Sequence, residues 1–331
     1  MKTHLILSLI LSSLLLAGCE KAVFEEESDG GTKSANVVLS VVGYEGLKGT
    51  ARSTEDLTKV CSRLSFVVYQ DGQRKKTVNQ KLSDDNFGRV ELSLDEGDYE
   101  VLVLGHSSTG KDNPTVTTLD KIQFTNITEK GNGTGYSDTF YCIDNLTVSD
   151  QPVERTFTLT RAVAMFRLET TDVKPSEVSQ MWFRYTGGSG AFNAYTGYGC
   201  VNSTQVVTFD LTDAQNGQPL QFDLYTFPHD ETDLLRIQAR AFNASGDIIY
   251  EHTFENVPVE RNTITQYTGA FFTEIEYEDP DDTGTPEVPE DPEDPTDPTD
   301  PVIPDNPEEP DAPSMVFKVE TAWASVNYYT F

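Results

Sequence analysis

The chain has 331 residues, of which 54 are acidic and 24 basic, and its formal charge of −30 repels nucleic acid and anionic headgroups, excluding both as partners. About 313 residues remain beyond an N-terminal signal, enough for two ordinary domains. The charge is uneven: Glu274 to Asp311 holds 17 acidic residues and no basic one, so the remainder is only moderately acidic.

Residues 1–18 read as a lipoprotein signal peptide. Lys2 and His4 give a short positive start, Leu5 to Leu16 an almost wholly apolar run, and Leu16-Ala17-Gly18-Cys19 closes it. An apolar run of about 12 residues reaches ~18 Å as a helix, too short for a ~30 Å hydrocarbon core. The pattern is that of an export signal. A cysteine directly after Leu-Ala-Gly makes Cys19 the expected site of lipidation and membrane attachment, where a plain secretory signal would carry none. Residues 19–35, with Glu20, Glu25, Glu26, Glu27 and Asp29, form an acidic tether.

Beyond the tether, short runs rich in Val, Ile, Phe, Tyr and Thr alternate with polar residues, and helical periodicity is nearly absent. The runs expected as strands are Asn36–Tyr44, Arg63–Gln70, Val90–Leu94, Tyr99–Leu104, Thr115–Phe124, Thr156–Leu168, Met181–Tyr185, Val206–Leu211, Leu220–Phe227, Leu234–Phe242, Ile248–Phe254 and Thr263–Phe272. Turn signals such as Asp71-Gly72 and Ser245-Gly246 separate them. An all-β chain of this length is too large for one sandwich, so two antiparallel sandwiches are expected, at residues 36–158 and 159–278. Val153 to Leu168 is too long for one average strand, and its phase shifts at Arg161-Ala162. It reads as the last strand of one sandwich running into the first of the next.

Prolines at 286, 289, 292, 295, 298, 301, 304, 307, 310 and 313 keep an unbroken period of three. Residues 279–313 therefore read as an extended polyproline-type linker, up to roughly 100 Å long and stretched further by its own charge. Residues 314–331 read as a closing or donor strand. Met315, Phe317, Val319 and Trp323 share one face, with Trp323 as the main anchor. The linker is long enough for pairing in cis or in trans, so length does not choose. Cys61, Cys142 and Cys200 allow at most one disulfide, in any of three pairings.

Several motifs resemble reactive sites without completing them. Gly105-His106-Ser107-Ser108-Thr109-Gly110-Lys111 approaches a phosphate loop, but Asp112 stands where Ser or Thr would hold magnesium, and Asn113-Pro114 opposes a helix. The same segment lacks the closing glycine of a nucleophile elbow. His106, His229 and His252 show no paired spacing for zinc and are expected on surfaces or loops. Asp279 to Glu290 matches calcium-loop spacing but is interrupted by prolines. No catalytic residue, metal site or cofactor is expected.

Several segments together resemble the fimbrillin superfamily of Bacteroidales, in particular its minor, anchor-type lipoprotein subunits of type V pili. The motifs are the lipobox ending in Cys19, the hairpin Leu64-Ser-Phe-Val-Val-Tyr-Gln-Asp-Gly72, and Glu96-Gly-Asp-Tyr-Glu-Val-Leu-Val-Leu-Gly105. Further along come Leu159-Thr-Arg-Ala-Val-Ala-Met-Phe-Arg-Leu168, Arg261-Asn-Thr-Ile-Thr-Gln-Tyr-Thr-Gly269 and the closing Phe317-Lys-Val-Glu-Thr-Ala-Trp323. The acidic stretch after Cys19 is similar to the surface-export signal of Bacteroidetes lipoproteins, and a solvated tether has the same look. The resemblance implies two transthyretin-like, Greek-key β-sandwiches. It also implies assembly in which a neighbour's C-terminal strand fills a groove, opened in shaft and tip subunits by proteolysis after an Arg or Lys. Arg52-Ser53, in an expected exposed loop after the first strand, is the candidate maturation site, and an ordinary loop arginine is the plain alternative. The proline-acidic insertion before the closing strand departs from the family pattern.

The expected role is a non-enzymatic fimbrial subunit, anchor or tip, on the cell outer membrane. Its expected partners are other fimbrial subunits, the outer membrane through lipid on Cys19, and a host or bacterial surface ligand. The alternative is a glycan-binding lipoprotein of a polysaccharide-uptake system, with Tyr185, Phe192, Tyr195 and Tyr198 stacking on sugars.

Overall fold

A computed structural model describes residues 34–45, 51–107, 115–124, 136–231, 233–273 and 323–331. The chain enters through β1 (Val37–Glu45), β2 (Ala51–Ser53) and a short α-helix, α1 (Thr54–Val60). Then come β3 (Arg63–Gln70), β4 (Gln73–Lys81), β5 (Arg89–Leu92), β6 (Gly97–His106), β7 (Thr115–Thr118), β8 (Lys121–Gln123), β9 (Thr139–Val148) and β10 (Val153–Arg161). The second half comprises β11 (Ala164–Thr170), β12 (Val178–Thr186), β13 (Ala191–Phe192), β14 (Gln205–Asp210), β15 (Gln221–Thr226), β16 (Asp233–Asn243), β17 (Ile248–Val259) and β18 (Thr263–Gly269). The last strand is β19 (Ser325–Thr330). The protein is all-β.

Eight strands of the first half form one sheet ordered β2-β1-β10-β9-β6-β3-β4, with β5 beside the early part of β1, while β7 and β8 pair with β13 in a three-stranded sheet. β10 and β9 share only two residue pairs, Thr160 with Tyr141 and Arg161 with Phe140. The sheet turns there, and Leu39 and Phe157 from one part meet Phe66 and Val101 from the other in one core. In the second half, sheets β15-β11-β18-β19 and β14-β12-β16-β17 face each other across a core that includes Phe166, Phe183, Ile237 and Val257.

Between the halves lies a third core, which explains the uninterrupted apolar runs Phe66-Val67-Val68-Tyr69 and Val101-Leu102-Val103-Leu104. Phe66, Val68, Val101 and Val103 face the first core, while Val67, Tyr69, Leu102 and Leu104 face the third. Strands buried on both faces need apolar side chains at every position, not at every second one. Phe124, Phe192, Phe227, Ile264 and Trp323 close this middle core.

The long run Val153–Leu168 divides where its phase shifts. Through β10 the odd-numbered Phe157 and Leu159 point into the first core; from β11 the even-numbered Ala164, Phe166 and Leu168 point into the second core. Ala162 and Val163 join the strands and are buried in the middle core. At the β3–β4 hairpin, Asp71 (φ 53°) and Gly72 (φ 71°) adopt the paired left-handed conformations of a two-residue turn.

Several expectations are corrected. Thr115–Phe124 is not one strand but the hairpin β7–β8, broken at Leu119-Asp120. β9 was missed because Asp144-Asn145 in its middle reads as a turn. β4 was missed because Arg74, Lys75, Lys76 and Lys81 give it the composition of a charged edge, which is its place in the sheet. The sheets are not purely antiparallel: β1–β10, β11–β18 and β18–β19 pair in parallel. His106 is fully buried, not on a surface or loop, because it continues the inward register of Leu102 and Leu104. Arg52 and Ser53 lie in β2, paired with Tyr44 and Gly43, and not in a loop. Cys61, Cys142 and Cys200 are all free thiols. Cys19, the 279–313 linker, Met315, Phe317 and Val319 lie outside the described residues.

Candidate functional site

The C-terminal strand docks on the edge of β18, and its anchor sits on a buried arginine. β19 runs parallel to β18 from Thr263–Ser325 to Thr268–Thr330. Just ahead of the ladder, Trp323 is 4 % exposed, whereas Ser325, Asn327, Tyr328, Tyr329 and Thr330 are exposed. Most of what holds this segment is therefore backbone pairing plus a few ring contacts. Tyr329 stacks on Tyr267 with centroids 4.9 Å apart, and Phe331 meets Phe254 edge-on at 5.0 Å. Ser325 and Thr263 share a hydroxyl–hydroxyl bond of 3.1 Å.

Trp323 lies against Arg161, the last residue of β10, whose guanidinium carbon is 3.9 Å from the indole centroid. Arg161 is 0 % exposed, and its in-plane donors are directed at fixed acceptors. Nε and Nη2 donate to the Asp138 carboxylate at 2.7 and 2.8 Å, and Nη1 donates to Asn262 Oδ1 at 2.6 Å. Burial pushes the Asp138 carboxyl up, against the downward pull of Arg161. Removing either partner of such a pair strands a buried charge and costs about 3–5 kcal/mol. Phe140 (4.7 Å) and Tyr44 (6.0 Å) also lie near the guanidinium, and the Tyr225 ring stacks beside Trp323 at 6.2 Å.

Asn262 joins the three parts. It occupies the left-handed region at φ 61°, a conformation asparagine tolerates better than most residues. Its N–H donates to Val163 O at 2.8 Å, and its carbonyl accepts from Ala324 N–H at 2.8 Å. The loop before β18, the β10–β11 junction and the start of the C-terminal strand thus share one residue.

The other candidates are scattered. Tyr185 and Phe192 are core residues, so neither stacks on a sugar; the Tyr185 hydroxyl donates to Tyr225 O at 2.7 Å. Tyr198 lies under the Arg261 guanidinium at 4.8 Å. Tyr195 is 57 % exposed and donates to Glu100 at 3.2 Å, beside an open cleft of about 300 Å³ lined by Glu100, Asp98, Asn145 and Thr147. Among the described residues no group of three or more His, Cys, Asp or Glu could hold a metal ion, and no helix is long and apolar enough to cross a membrane.

The sequence model of a family of unknown function, DUF6562, matches residues 28–293. The chain belongs to this family. The matched span of the DUF6562 chain includes Asp138, Arg161 and Asn262 but not Trp323. A comparison with curated proteins by sequence gives no match. Among solved structures, a candidate adhesin from Bacteroides ovatus superposes with a TM-score of 0.45 at 13 % identity, covering 68 % of this chain and 83 % of that one. The fimbrial anchor protein of Porphyromonas gingivalis gives 0.39 at 11 %, covering 65 % and 80 %. A fimbrial assembly protein from Parabacteroides distasonis gives 0.39 at 15 %, covering 72 % and 92 %.

Sequence reasoning named Trp323 as an anchor but did not find what it rests on. Arg161 and Asn262 stood inside quoted motifs without a role. Asp138 was missed, and its place just before the unrecognised strand β9 left no periodic signal to find it by.

Proposed function

We propose that this DUF6562 protein is a non-enzymatic fimbrial subunit, an anchor or accessory component, that assembles by exchange of its C-terminal β-strand. One observation carries the reading. β19 is an outer strand, paired on one side only among the described residues, and 51 residues separate it from Thr273. A strand so placed is stitched to its sheet by main-chain bonds and side-chain anchors, the means by which an extended segment adds to a sheet edge. Its parallel direction requires a long connection when this chain supplies the strand itself, and none when a neighbouring subunit supplies it. The lipobox adds the location: export, lipid on Cys19 and exposure at the outer membrane.

Deletion of residues 323–331 tests the reading. The truncated monomer is expected to keep its β-type circular dichroism while failing to enter high-molecular-weight fibres in the producing cell. A truncated chain that unfolds, or a full-length chain never found in such fibres, sinks it. Mass spectrometry of the native N-terminus decides between an anchor, beginning at lipidated Cys19, and a subunit matured at Arg52-Ser53.

A further inference from the structure

We infer that the β18 edge is selective for its lead residue: it holds an extended strand, this chain's own or a partner subunit's, only when an aromatic side chain stands two positions ahead of the first paired residue. The inference rests on the strand-exchange reading and adds to it the kind of strand that fits. Trp323 precedes Ser325, the first residue of the ladder, by two.

The selectivity comes from the state of Arg161. Its N–H groups point in the guanidinium plane, toward Asp138 and Asn262, so what it offers an incoming strand is a flat cationic face without a hydrogen bond to give. A buried guanidinium face is satisfied by an aromatic π-face and by little else. The indole centroid at 3.9 Å supplies that, and the Tyr225 ring, tilted 26° from the indole, gives a second flat surface. A leucine would restore part of the apolar contact but not the attraction to the cation. Downstream, the stacked Tyr267–Tyr329 pair and the Phe254–Phe331 contact repeat the preference. The partner strand that fits is thus uncharged, with aromatic residues at its first, seventh and ninth positions, counted from Trp323 through Tyr329 to Phe331.

The groups that build the seat come from both halves of the protein. Asp138 and Phe140 belong to the first half; Tyr225 and Asn262 belong to the second. A lead aromatic residue therefore clamps the halves at the point where β10 passes into β11.

Two measurements test this on full-length protein. In cis, Trp323→Phe and Trp323→Leu are compared by hydrogen exchange across 325–330. The Phe variant is expected to stay within a few-fold of the parent, and the Leu variant to exchange about tenfold faster or more. In trans, full-length Trp323→Ala is titrated with a labelled peptide of residues 323–331 carrying two added C-terminal lysines, and with the same peptide led by Leu. The Trp-led peptide is expected to bind about tenfold tighter or more, and Arg161→Lys, which keeps the charge but loses the plane, is expected to shrink that ratio to a few-fold. Equal affinity of both peptides, or equal exchange of the Phe and Leu variants, overturns the lead-residue rule and leaves strand exchange standing. Failure of both peptides to bind a natively folded Trp323→Ala protein overturns strand uptake at this edge, and the rule with it.

Discussion

His106 is enclosed beside Phe124, ring centroids 5.8 Å apart, and among the described residues neither ring nitrogen has a hydrogen-bond partner. Burial holds the ring neutral and lowers its pKa from 6.5 to about 4. The unfolded chain therefore binds more protons than the folded one between those values. Stability contributed by the neutral ring is complete above about pH 6.5 and lost as pH falls toward 4, by about 3 kcal/mol for a shift of this size. His106→Leu is expected to flatten this part of the stability–pH curve in urea titrations at pH 7, 6, 5 and 4; an unchanged slope would show that other groups set it. His106 was legible in principle. It continues the spacing of Leu102 and Leu104, and only the habit of placing histidine outside hid it. Arg161 was not legible, because the acceptors that make a buried guanidinium tolerable lie 23 and 101 residues away.

At the level of elements, local chemistry and edge position divide the work. The β3–β4 turn places Gly72 at φ 71°, and a side chain there would meet nothing within 4 Å, so the cost of adding one is conformational alone. Gly72→Val is expected to lower stability by about 1–2 kcal/mol in chemical denaturation without altering native spectra. Gly269, at the end of β18, is the opposite case: a Cβ there would stand 2.3 Å from Phe331 O. Gly269→Val is expected to lift the end of β19, raising hydrogen exchange at Tyr328–Phe331 at least tenfold while β3, β6 and β9 keep their protection. Strands announced by β-branched and aromatic runs were legible: β3 with both ends in place, and β6, β12 and β16 with ends shifted by one to three residues. β4 and β9 were not, because an edge position and a polar middle each remove the apolar period on which the reading depends. The parallel pairings were invisible for another reason: they join β1 to β10, β11 to β18 and β18 to β19, and nothing in local sequence records such a return.

At the scale of the molecule, the middle core decides how the two halves behave. β3 and β6 are each buried on one face by the first core and on the other by the third, so neither half can open without exposing apolar surface of both. The described residues from 35 onward accordingly form one compact unit. A single calorimetric transition is expected, with van't Hoff and calorimetric enthalpies in agreement. Phe227, with ring centroids 5.1 Å from Phe192 and 5.2 Å from Phe124, sits in that middle layer. Phe227→Ala is expected to cost about 3–5 kcal/mol while keeping one transition; two separated transitions would show that the halves fold independently. The seat of Trp323 at the near end of β19 has a mechanical consequence. Tension arriving through the chain ahead of the strand reaches the indole and the guanidinium first, and the ladder behind them only afterwards. Under the proposed strand exchange, a substitution at Trp323 is therefore expected to weaken the first point of resistance in the joint while leaving the pairing of the strand itself unchanged.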